Sequence, residues 1–104
     1  MSHIEIEHLH AYANRGLDIR VAVATDEEHT DFTAITFRIA ETAIEKTGLT
    51  ADDTVTGFDT DLTLTAAELS ITPDVYRWEL VATLAGQVRT VAHGRFTVSE
   101  EITS

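Results

Sequence analysis

The sequence predicts an all-β protein: a single two-sheet sandwich of about seven short antiparallel strands with one short helical turn. Three observations lead there. Threonine and valine are abundant, and apolar residues recur at every second position in several stretches. Turn signals fall at intervals of roughly 8–12 residues. The stretch VYRWELVATLAGQVRTVAHGRFTVS, residues 75–99, reads as two long alternating strands around a tight turn. At 104 residues the chain supports one core and not two, so residues 1–104 form one domain.

The elements follow in order. His3-Ile4-Glu5-Ile6-Glu7 alternates as a first strand, and residues 1–10 as a whole read as an edge strand or an arm. Leu17 to Val23 is a second strand with Leu17, Ile19, Val21 and Val23 on one face, followed by a solvated acidic loop from Thr25 to His29. Thr33 to Glu41 gives a third, with Ile35, Phe37 and Ile39 pointing one way. Ala40 to Lys46 suits either a continuation of that strand or one helical turn. Gly48 to Gly57 is polar and turn-rich, with room for a short strand around Val55, and Leu62 and Leu64 open another alternation. Thr65-Ala66-Ala67-Glu68 has the spacing of a capping box and predicts a single helical turn ending before Pro73.

For the closing hairpin, parity favours a three-residue loop, Leu84-Ala85-Gly86. That loop pairs Ala82 with Val88, Leu80 with Thr90 and Trp78 with Ala92, and sets Tyr76 opposite Gly94 and Arg77 across from His93. The expected core is Ile19, Val21, Val23, Ile35, Phe37, Ile39, Leu62, Leu64, Leu69, Trp78, Leu80, Phe96 and Val98. It is complete at Val98, leaving residues 99–104 as a short tail.

Eighteen acidic residues against seven basic ones give a formal charge of −11, with Lys46 the single lysine. So negative a surface repels phosphate backbones and predicts no nucleic-acid partner. Two readings of the acidity stand: ordinary solubility, or adaptation to high salt, which a lysine-poor acidic surface fits. No run of 18 apolar residues predicts a membrane span, no signal peptide is visible at the N-terminus, and the absence of cysteine leaves no thiolate chemistry.

Candidate chemistry is sparse. His8-Leu9-His10 would set two imidazoles on one face of a strand, with His3 upstream, which makes His8 and His10 weak metal candidates short of a third ligand. Asp26, Asp31 and the pairs Asp52-Asp53 and Asp59-Thr60-Asp61 suggest calcium, but the glycine and distal glutamate of a calcium loop are missing. His29 reads as solvated and His93 as a surface residue. There is no nucleophile elbow and no phosphate-binding glycine loop, so the sequence predicts no enzyme and no cofactor.

The order of the motifs adds a resemblance. Gly16-Leu17-Asp18 enters a strand, the acidic loop 26–31 follows, then FTAITFRI at 32–39 and LTLTAAEL at 62–69. Tyr76-Arg77-Trp78-Glu79-Leu80, Gly86-Gln87-Val88-Arg89-Thr90 and Gly94-Arg95-Phe96-Thr97-Val98 close the series. This order resembles the immunoglobulin-like β-sandwich of tailed-virus tail and baseplate proteins and is similar to the N-terminal domain of the phage baseplate upper protein. Asp74-Val75 stands where such domains commonly carry a glycine.

The resemblance implies a non-enzymatic virion component of the tail or baseplate, or a capsid decoration or turret. Its partners would be other virion proteins and copies of itself in a homo-oligomer, without nucleic acid or membrane. His3, Ile4, Ile6, Arg77 and Arg95 are the assembly candidates, and Phe37, Trp78, Leu80 and Phe96 the central core. The alternative expectation is an extracellular adhesive sandwich that binds calcium or carbohydrate through its acidic loops.

Overall fold

The structure, a computed structural model, describes residues 6–100. Eight strands follow one another: β1 (Ile6–Tyr12), β2 (Leu17–Ala24), β3 (Phe32–Ile39), β4 (Glu45–Leu49), β5 (Asp52–Thr54), β6 (Gly57–Leu64), β7 (Asp74–Leu84) and β8 (Gln87–Ser99). One sheet has the order β1-β8-β7-β3-β4 and the other β2-β6-β5. Every strand pair is antiparallel except β1 with β8, which run parallel. Apart from β1, the division of strands between the sheets is that of an immunoglobulin-like sandwich. Among the described residues, no helix is long and apolar enough to cross a membrane.

The predicted core is buried at every position, from Ile19 through Val98. The sheets meet across Phe37, Phe58, Phe96 and Trp78, with Phe37 and Trp78 stacked at 5.7 Å between ring centroids. Alternation produces this directly, since in-facing residues on both sheets are apolar and interleave. Phe32, Phe58, Ile44, Leu84 and Val91 join the core beyond the expected set. At the entry to β7, the Tyr76 hydroxyl donates to the Thr72 carbonyl four residues upstream. That is the geometry of the tyrosine corner of immunoglobulin domains.

Several expectations need correction. The described part of the first strand, from Ile6, runs past its expected end to Tyr12; its backbone pairs along β8 at the edge of the sheet, so this part is the expected edge strand and not a detached arm. His3 and Ile4 lie outside the described residues, as do residues 101–104 of the predicted tail. Ala40 to Ile44 is neither strand nor helix but the turn of a β3–β4 hairpin, with Glu41 at positive φ. The short strand lies at Asp52–Thr54, leaving Val55 fully exposed at the tip of the turn into β6. That next strand starts at Gly57, five residues before Leu62. The 65–69 segment makes a turn with one hydrogen bond of α-helical spacing, Leu69 N to Thr65 O, while a 3-10 turn lies at His29–Asp31.

The closing hairpin has a two-residue loop, Ala85-Gly86, instead of three. Both residues have positive φ, the signature of a tight hairpin turn matched to strand twist. Taken alone, this loop would turn Phe96 outward. One extra residue in β8, Val91 between Thr90 and Ala92, resets the parity, and Val91 and Ala92 are both buried. Trp78 therefore lies opposite Gly94, Tyr76 opposite Phe96, and Glu79 opposite His93. A second bulge in β3 lies between Thr33 and Thr36, where Ala34 takes a left-handed φ of 51°.

The β5–β6 turn is held against β2 by a close approach. A Cβ on Gly57 would lie 1.9 Å from the Val23 carbonyl oxygen, a backbone atom that cannot move aside alone. Gly57→Ala is expected to destabilise the domain by about 3 kcal/mol or more, as overpacking of an intolerant site does, measurable by chemical denaturation.

The expected capping box is present: the Thr65 amide donates to Glu68 Oε1 and the Glu68 amide to Thr65 Oγ1. Lys46 Nζ also contacts Glu68 Oε1 at 2.7 Å, tying β4 to this turn. These contacts, the Lys46 hydrogen bond first, hold the Glu68 carboxyl below the usual glutamate range. A depressed carboxyl stabilises the fold above its unfolded pKa, and that stabilisation disappears as pH falls through the folded value. Glu68→Gln is expected to lower stability near neutral pH by on the order of 1 kcal/mol. The difference from the parent protein should vanish once pH drops well below about 4, read from paired melts across pH.

Candidate functional site

The outward face of the five-stranded sheet is built by the residues that alternate with the core. Register places them in rows across the strands. One row runs His93, Glu79, Arg38 and Glu45, with the backbone of Ile6 beside it, and the next holds Arg95 and Arg77, with the backbone of His8 beside Arg95. In the first row Arg38 Nε donates to Glu79 Oε1, an ion pair between half-exposed side chains. The second row contains two guanidinium groups directly opposite each other.

Arg77 and Arg95 are both exposed and have no acidic partner among the described residues. With Val75, Tyr76, His93 and Gly94 they line an open cleft of about 390 Å³. The other cations are distributed differently. Arg20 makes a bidentate contact with Asp61 at 2.8 and 3.2 Å and lies 3.7 Å from Asp59, contacts that raise its pKa. Lys46 is held by Glu68. Like charges directly across an antiparallel pair are unfavourable, so this row does not serve stability.

The second feature is an acidic cleft of about 570 Å³ at one end of the sandwich, lined by Thr25 to His29 and Asp53 to Gly57. It unites two segments that the sequence left separate, the β2–β3 loop and the β5–β6 turn. His29 is not solvated as expected: its side chain is 29% exposed, and its Nδ1 lies 3.5 Å from Asp53 Oδ1 without forming a hydrogen bond. Asp26 lines this cleft, whereas Asp31, on the 3-10 turn, does not. The His8 side chain lies outside the described residues; His10 Nε2 lies 2.7 Å from Ser99 Oγ, and its ring packs on Tyr12. Among the described residues no three His, Asp or Glu side chains gather as a ligand set.

Of the expected assembly residues, the fold brings Arg77 and Arg95 together and sets the backbone of Ile6 one row away, opposite His93. His93 belongs to the same cleft and was read only as a surface residue; its position two before Arg95 on a strand was the available signal. No family model matches the chain, and no curated protein matches it.

Breaking the opposed charges should reveal their effect on the isolated domain. Arg77→Glu, which sets a carboxylate opposite Arg95, is expected to raise monomer stability by about 0.2–1 kcal/mol in denaturant titrations. A loss of stability would mean that the guanidinium is held by contacts other than those described.

Proposed function

We propose that the protein is a non-enzymatic structural component of a tailed virus particle. It acts through subunit assembly in the tail or baseplate, or as a capsid decoration or turret element. The observation that carries this reading is the order of the closing motifs, Y-x-W-E-L, G-x-V-R-T and G-x-F-T-V, within an immunoglobulin-like sandwich. The exposed Arg77–Arg95 row supports it further. Its like charges stand opposite each other on exposed positions, where another chain can reach them.

An adhesive module binding through acidic loops is the second reading, and the grouping of Asp26, Glu27, Glu28 and Asp53 around one cleft favours it. The two readings separate experimentally. Purified particles of the virus encoding this chain should contain it by mass spectrometry, and a particle reconstruction should show the sandwich repeated at a symmetric site. Its absence from the particle would overturn the structural reading. Saturable calcium binding that Asp53→Asn abolishes would favour the adhesive one.

A further inference from the structure

We infer that the cleft around Arg77 and Arg95 is a docking surface for the acidic end of the β5–β6 hairpin, Asp52-Asp53-Thr54-Val55, of a second copy of this chain. The inference deepens the assembly reading and rests on it. The first argument is charge. The chain has more than two carboxylates for every basic residue, yet two arginines face each other with no acidic partner among the described residues. Two copies that each carry −11 repel unless a cationic surface of one meets an acidic surface of the other. Arg77 and Arg95 form such a surface, and a carboxylate at the end of the β5–β6 hairpin suits a guanidinium group.

The second argument is apolar fit. Val55 is fully exposed at the tip of the turn, and Val75, at the rim of the arginine cleft, is 57% exposed beside the half-buried Tyr76. These exposed valines accompany the two charged groups that would meet, so docking would bury both.

The third argument is position. Phe32 and Phe58 pack at 4.9 Å, and Phe32 pairs with Leu84, so the β5–β6 turn lies at the same end of the sandwich as the β7–β8 loop. Arg77 lies seven residues down β7 from Leu84, about 23 Å away at the usual rise of a strand. Donor and acceptor surfaces are therefore different and well separated. A contact between them is head-to-tail, and repeating it yields a ring or a filament instead of a closed two-fold dimer.

A charge-swap experiment tests this at fixed ionic strength, with thermal melts confirming that each variant folds. Sedimentation velocity is run on the wild type, on Arg77→Glu/Arg95→Glu, on Asp52→Arg/Asp53→Arg, and on an equimolar mixture of the two variants. The expected result is self-association of the wild type that weakens at least about tenfold in either variant. The mixture should recover it as an alternating hetero-complex, because the unchanged acidic turn of one variant meets the unchanged arginine cleft of the other and the two reversed surfaces are again opposite in charge. Self-association unchanged in Arg77→Glu/Arg95→Glu would overturn this interface while leaving the particle reading intact. A wild type that stays monomeric but binds inorganic phosphate at the two arginines would overturn it in favour of a small-anion site.

Discussion

The sandwich depends on one large side chain held between its sheets. Trp78 is 1% exposed and stacked on Phe37, and it lies two residues after the corner tyrosine, Tyr76. In antibody domains that position holds a disulfide cysteine. This chain has no cysteine, and an indole occupies the space that a covalent bridge spans elsewhere. The surroundings conform to it. Gly94 pairs opposite and presents no side chain of its own, while the bulge at Val91 gives β8 the parity that turns Phe96 and Val98 inward on the same side.

Much of the fold was legible because alternation is a local property. Ile19, Val21 and Val23, or Ile35, Phe37 and Ile39, can be assigned to a buried face from spacing alone. The edge strands β4 and β5 were not legible for the same reason. β4 reads Glu-Lys-Thr-Gly-Leu and β5 Asp-Asp-Thr, and they are strands because a neighbour offers backbone hydrogen bonds, not because a face is apolar. Irregularities were hidden as well. An alanine at left-handed φ, as at Ala34 and Ala85, carries no compositional mark, whereas a glycine would have signalled the turn.

The candidate site suffered from this directly. Arg77 and Arg95 were each identifiable as outward-facing, but their apposition depends on the register of β7 against β8. That register is set by a two-residue loop and a compensating bulge at Val91, opposite the step from Leu80 to Val81 in β7. Parity can be corrected at the turn or further along the strand, and the two solutions give the same buried face with different partners. Only long-range geometry distinguishes them. The acidic cleft was obscured similarly, since the Asp26 and Asp53 segments meet only once β2 and β6 have paired.

The parallel pairing of β1 with β8 has a kinetic meaning. Ile6 finds its place beside His93, so the earliest described strand docks on the last. During synthesis β1 emerges long before its partner exists, and closing that distance is entropically the most demanding step of the fold. β7 and β8 are joined by two residues and can zip together early. β1 then adds to an edge that is already formed. Until it does, the rim of β8 is an unsatisfied row of amides and carbonyls, and any extended peptide nearby competes for it. The order of assembly within one chain thus opens a brief window in which a neighbouring chain can take the place of β1.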